Sequence, residues 1–338
     1  MRRMQRFAAA LMLTAALSFS ASARGAAPRG SARIGGTFLQ LVAQHGDWKP
    51  ENWRDLFGQF RQIGVSQLVV QWTLYEDTAF FTTKSYKQVN APPLETILRL
   101  ADEHKVRVVL GLAHDPGFWL KIRRDPALVE VYLRRLRLRS QDLAREILPL
   151  AATHASFAGW YIPQEIEDTS WRDREPRQIL FDHLRDLARG LHEISPGKEV
   201  AISGFSNAHS DPRAFEEFWT AMLGKAEVDV VLFQDGVGAQ KLSLDYVDLY
   251  LTAIRKAVVG RSKKLQVVVE IFRQTDGPPL RETGTFKAVP APLERIDRQV
   301  EIAAKYSSLP VVAFSIPEYM SPFGGAEAGK LYQAYVAP

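Results

Sequence analysis

From Gly36 onward the chain alternates two patterns: short runs that are apolar almost without a break, and longer stretches whose apolar positions recur every three or four residues. The runs are GTFLQLV from Gly36, SQLVVQWT from Ser66, VRVVLGLA from Val106, FAGWYI from Phe157, VAISGFS from Val200, VDVVLFQD from Val228, LQVVVEIF from Leu265 and PVVAFSI from Pro310. Continuous β-branched and aliphatic character predicts strands buried on both faces, as in a parallel sheet. The intervening stretches predict helices, and several open on proline, whose missing N–H is harmless in a first turn. They begin at Pro50, Pro92, Pro126, Pro176, Asp211 and Pro292. In the last, Leu293, Ile296, Val300 and Ala303 form a packing stripe, which leaves Arg295 and Arg298 toward water.

Eight strand–helix units, with a closing helix at Ala326–Tyr335, predict an α/β protein built as a single (β/α)8 TIM barrel, its active-site cleft at the C-terminal ends of the strands. The competing open doubly wound sheet lacks support, because no Gly-x-Gly-x-x-Gly loop follows the first strand. The barrel domain is expected over residues 34–338, with no low-complexity linker inside it.

The N-terminus reads differently. Arg2, Arg3 and Arg6 precede the apolar run Phe7–Leu17 and the small-residue stretch SASARGAAPRG, the pattern of a secretory signal peptide over residues 1–23, followed by a flexible segment over 24–33. The apolar run falls short of the about 20 residues a membrane span needs, so no stable membrane anchor is expected after cleavage. Removal of the three arginines lowers the formal charge from +5 to +2. A near-neutral chain does not point to nucleic acid, and the basic run Arg134–Arg139 reads as a solvated helix face. With no cysteine in the 338 residues, disulfides, thiolate metal sites and a cysteine nucleophile are excluded. The expected location is periplasmic or secreted.

The chemistry gathers at the strand ends. GWYIPQEIED runs from strand into Gln164, Glu165, Glu167 and Asp168, and VVVEIFRQ carries Glu270 after three valines, where an unpaired carboxylate is costly to bury. A barrel brings strands four and seven face to face across its mouth. Glu167 and Asp168 are rival acids, though a loop carboxylate beside a strand end is usually solvated or caps the next turn. Gln40, Gln71, Trp72, His114, Asn207, Gln234, Asp235, Arg273, Glu318 and Tyr319 follow other strands, and together they suit a hydroxyl-rich ligand. Trp72, Trp119 and Trp171 are the tryptophans expected to touch sugar, whereas Trp160 reads as core. Arg273, turned back, would hold the charge of Glu270. The segment Thr275–Pro292 is long for a βα connection and suits a border of the cleft. No His-Glu-x-x-His or similar spacing supports a metal through His114, Asp115 and His209, no cofactor is implied, and GFSN at Gly204 is not a nucleophile elbow.

These motifs resemble the large clan of (β/α)8 glycoside hydrolases, which place an acid/base glutamate at the end of strand four and a nucleophilic glutamate at the end of strand seven. Through GGTFLQ, WYIPQEIED and VVVEIF the chain is also similar to an uncharacterised bacterial family of glycoside-hydrolase-like barrels. The resemblance implies Glu165 as acid/base, Glu270 as nucleophile, and a carbohydrate substrate cleaved with retention. It departs in one place: the clan has Asn before the acid/base, where its amide meets the sugar 2-hydroxyl, and this chain has Gln164. The alternative expectation is a non-catalytic carbohydrate-binding barrel of an exopolysaccharide system, because fold does not fix function. A metal-dependent hydrolase or deacetylase is a third.

Overall fold

The computed structural model describes residues 32–276 and 286–337. The expected signal at 1–23, residues 24–31 and residues 277–285 of the segment after Glu270 lie outside the described residues.

Each of the eight expected runs forms a strand. In chain order the barrel is β1 (Ile34–Leu39), α1 (Pro50–Ile63), β2 (Gln67–Val70), α2 (Leu94–His104), β3 (Arg107–Gly111), α3 (Pro126–Ala151), β4 (Phe157–Ile166) and α4 (Arg174–Ile194). It continues with β5 (Glu199–Gly204), α5 (Pro212–Leu223), β6 (Val230–Gln234), α6 (Val247–Val259), β7 (Lys264–Glu270), α7 (Leu293–Tyr306), β8 (Val311–Phe314) and α8 (Ala326–Val336). The strands pair in parallel around a closed ring, and β1 seals it against β8 through Ile34↔Val311 and Gly36↔Val312. This is a (β/α)8 barrel.

Pleat alternation divides the core in two. Trp160, Ile162 and Val267 point outward into the large layer between strands and helices. Phe38, Val69, Tyr161, Leu232, Val268 and Val312 point inward and fill the bore. At its floor the Gln67 amide donates to Gln266 at 2.9 Å, and Gln266 donates to the Pro310 carbonyl at 2.7 Å, so these buried polar groups are satisfied.

The helices start as the sequence implies. Pro50, Pro126 and Pro212 occupy first turns, and Asp125 and Asp211 accept the free N–H groups of α3 and α5. α6 was not among the expected helices: it buries Val247, Leu251, Ile254 and Val258 on one face but opens without proline. The basic run lies on α3, where Arg137 faces Asp186 and Arg139 pairs with Asp77 at 2.6 Å. Among the described residues no helix is long and apolar enough to cross a membrane.

His45, His114 and His183 have pKa values lowered to about 4, in each case chiefly by burial. His183 lies on the seam between α3 and α4, and the Arg137 guanidinium adds to its lowering. The unfolded chain binds these protons near the ordinary imidazole value of 6.5, so stability is full above that pH and falls as pH drops toward about 4. For His183 alone the linked loss is on the order of 3 kcal/mol at full titration. A scanning-calorimetry series should show Tm falling through this window, and falling less in His183→Leu than in the native chain.

Candidate active site

The pleat that fills the bore also builds the mouth. Two residues beyond Phe38, Val69, Leu232 and Val268 on the same strand face come Gln40, Gln71, Gln234 and Glu270, and four residues beyond Tyr161 comes Glu165. Five polar side chains thus continue the inward rows just above an apolar plug. Tyr161 and Ser203, bonded at 2.6 Å, form a polar step beneath Glu165.

Glu165 is half-buried and accepts from the Gln234 amide at 2.5 Å. Loss of water raises its pKa, against the attraction of Lys241 and the Gln234 bond. Glu270 is buried and accepts from the Ala239 N–H at 2.6 Å. Burial and then the neighbouring Asp235 charge raise its pKa, while Lys241 and the Ala239 bond lower it. Each glutamate therefore feels the same ammonium. Lys241 sits 3.1 Å from the centroid of the Phe205 ring, and burial lowers its pKa against the pull of Glu270 and Glu165.

The rival acids have structural partners. Glu167 accepts from the N–H groups of Thr169 and Ser170 and from the Asn207 amide, the last at 2.9 Å. Asp168 accepts from the N–H groups of Asn207, His209 and Ser210 at 2.8–3.1 Å and from the Ser206 hydroxyl at 3.1 Å. Both carboxylates staple the loop after β5 to the end of β4.

Five expected ligand contacts are placed elsewhere. Trp171 is 1% exposed and belongs to the core. Asp235 projects away from the bore, bonding the Glu270 N–H at 3.2 Å and the Gln299 amide of α7 at 2.5 Å, so it stands behind Glu270. Arg273 is exposed on the ribbon that pairs Phe272–Gln274 with Ala288–Pro290. The cation on Glu270's far side is Arg295, expected to face water, which donates instead to the carbonyls of Glu270 and Phe272. Gln164 donates to the Ala113 carbonyl at 2.9 Å and its Oε1 is buried, so neither end of the amide reaches the cleft. Asn207 holds Glu167 and Thr169.

Rings surround the mouth. Trp72 stacks on His114 at 4.6 Å, though its own N–H is bound to the Leu41 carbonyl at 2.6 Å. Trp119 is half-buried beside Phe205, and Tyr319 packs on Phe272 at 5.2 Å. Glu318, half-buried after β8 and bonded by Ser315, has its pKa raised by burial to about 8. Among the described residues no group of three or more His, Asp or Glu is arranged to hold a metal ion.

Lys241, Phe205 and the Ala239 N–H were not singled out from sequence. One signal was present: Gly236 and Gly238 directly follow β6, and Gly236 has φ +68°. A Cβ at Gly238 would lie 2.5 Å from the Phe272 oxygen and 2.7 Å from the Glu270 Cβ, so only glycine lets this loop lie against the end of β7.

Residues 34–324 match the family described as Domain of unknown function (DUF4434), and the chain belongs to that family. YbcH of Escherichia coli strain K12, an uncharacterized protein, is 31% identical over 274 residues, covering 77% of this chain and 84% of the relative. A candidate alpha-L-fucosidase of Bacteroides thetaiotaomicron superposes with TM-score 0.76 at 20% identity, over 92% of this chain and 97% of the other. An endo-1,4-beta-mannanase of Rhizomucor miehei superposes with TM-score 0.54 at 12% identity, over 84% and 85%. The intracellular xylanase of Thermoanaerobacterium saccharolyticum gives 0.51 at 13% identity, over 84% and 86%. At these identities the likeness shows the fold alone, a (β/α)8 barrel.

The division of labour among the carboxylates is measurable by denaturant unfolding. Asp168→Ala should destabilise the fold by about 3 kcal/mol, because it leaves several buried donors unmatched. Glu165→Gln should change stability by less than about 1 kcal/mol, since Gln234 can still bond the amide oxygen.

Proposed function

We propose that this DUF4434 member is an exported glycoside hydrolase that cleaves a polysaccharide or oligosaccharide with retention of anomeric configuration. The observation that carries the reading is that Glu165 and Glu270 stand at the ends of β4 and β7, each accepting from a distinct neutral donor, the Gln234 amide and the Ala239 N–H. Glu165 donates its proton to the leaving glycosidic oxygen while Glu270 attacks the anomeric carbon, breaking the C–O bond and forming a glycosyl ester. Glu165, now a carboxylate, takes a proton from water, which displaces Glu270 and restores both groups. Gln40, Gln71, Glu318 and Tyr319 offer polar contacts to sugar hydroxyls, and His114 and Trp119 offer ring faces, whereas Trp72 is buried behind His114. Export rests on Arg2, Arg3 and Arg6 followed by Phe7–Leu17, and places the mature chain in the periplasm or medium.

A non-catalytic sugar-binding barrel is favoured by one observation: Gln164, at the position where the clan's asparagine meets the 2-hydroxyl, has its amide buried against Ala113. The two readings part on turnover. For the hydrolase, Glu165→Gln and Glu270→Gln each lower kcat by about 10²–10⁴-fold or more with Tm unchanged. NMR of fresh products from a polysaccharide panel shows the substrate's own anomer, and an activated fluoroglycoside labels Glu270 in mass spectra. Saturable sugar binding without cleavage, indifferent to both substitutions, would establish the binding reading instead. Sequencing the N-terminus of the exported chain tests the leader, with cleavage expected near Ala23.

A further inference from the structure

The β6–β7 ladder reaches its last register pair at Gln234↔Val268, and the rung beyond it is made by a side chain. The Asp235 N–H donates to the Val268 carbonyl at 2.9 Å, so an unbroken parallel ladder would bring the Glu270 N–H to the Asp235 carbonyl. It donates instead to Oδ1 of the Asp235 side chain, at 3.2 Å. The main chain of β6 is thereby free to leave the ladder and turn through Gly236, at φ +68°, while β7 runs on to Glu270.

The same Oδ1 receives the Val237 N–H, also at 3.2 Å. It therefore joins the end of β7 to the first limb of the turn after β6. Further along that turn the Ala239 N–H donates to Oε2 of Glu270 at 2.6 Å. The clasp is reciprocal: Asp235 takes the main-chain N–H of Glu270, and Glu270 takes an N–H from the turn that Asp235 starts. Around it, the Gln274 N–H donates to the Gly238 carbonyl at 2.9 Å, and the Arg295 guanidinium donates to the Glu270 carbonyl at 3.0 Å. Oδ2 of Asp235 accepts the Gln299 amide of α7 at 2.5 Å. A carboxylate suits this place because it only accepts, and all three of its neighbours donate.

We propose that Asp235 is a positioning residue for Glu270: its Oδ1 clasps the turn after β6 to the end of β7 and so seats the Ala239 N–H on the Glu270 carboxylate. With Oε2 tied to the turn, Oε1 is the oxygen left for the anomeric carbon. This inference rests on the hydrolase reading for its use, though not for its test.

The test follows the Ala239 amide by NMR in substrate-free protein carrying nitrogen-15 alanine, as pH is raised through the ionisation of Glu270. In the native chain the amide proton should shift with that ionisation. Glu270→Gln should abolish the shift, which separates it from titration of the surrounding Asp235, Glu165, Lys241, Arg295 and Tyr319. Asp235→Ala should lose the shift in a protein that thermal melting shows to be folded. Asp235→Asn should keep most of it, because its amide oxygen can still receive both N–H groups and Gln299 can turn its unpartnered Oε1 to the new NH2. Should the Ala variant not fold, Asp235→Glu takes its place: it keeps the charge but carries the oxygens one methylene further, and the shift should weaken. Where cleavage is found, Asp235→Ala should lower kcat by about 10–10²-fold with KM little changed, the mark of a displaced reacting group, and Asn should recover most of the loss. Because the NMR arm needs no substrate, its outcome stands even if no glycoside proves to be cleaved. A folded Ala or Glu variant whose Ala239 amide follows Glu270 as in the native chain shows Asp235 to be merely structural and overturns the proposal, as does an Asn variant that behaves like Ala.

Discussion

Everything at the mouth depends on closure of the ring, the parallel ladder that joins β1 to β8. A closed ring fixes strand direction and pleat phase together, so a residue's parity along its strand decides whether it meets the bore or the helices. Glu270 shares the phase of Val268, Gln234 that of Leu232, and Glu165 that of Tyr161. A slip of one residue in any strand would move its mouth group into the apolar outer layer.

The acids at the mouth fall into two kinds. Glu167, Asp168 and Asp235 each receive several donors, most of them main-chain N–H groups, and these bonds tie loops to strand ends. Such carboxylates give the site its rigidity. Glu165 and Glu270 have fewer donors and share a cation, so they keep the freedom to change protonation state. That difference in hydrogen-bond saturation separates candidates that look equivalent as letters in a sequence.

It also explains how far the sequence could be read. The eight strands are legible because burial on both faces leaves an unbroken apolar run, and barrel order alone brings the ends of β4 and β7 to one mouth. α6 was overlooked because its buried stripe begins without a proline marker. The directions of Asp235 and Gln164, close to their strand ends, are set by partners far away in sequence, which no local pattern shows. Asp235 meets Gln299 of α7, and Gln164 meets the Ala113 carbonyl after β3. Lys241 lies on a loop whose path is governed by contacts with Phe272 and Gln274, so its place over the Phe205 ring has no local signature beyond two glycines.

The interlocked glutamines at the base, Gln67 and Gln266, have a consequence for traffic. With the Phe38–Tyr161–Val268 plug above them, they make the bore a blind cup with no passage to the opposite end. Whatever occupies the cup must arrive and depart over one rim.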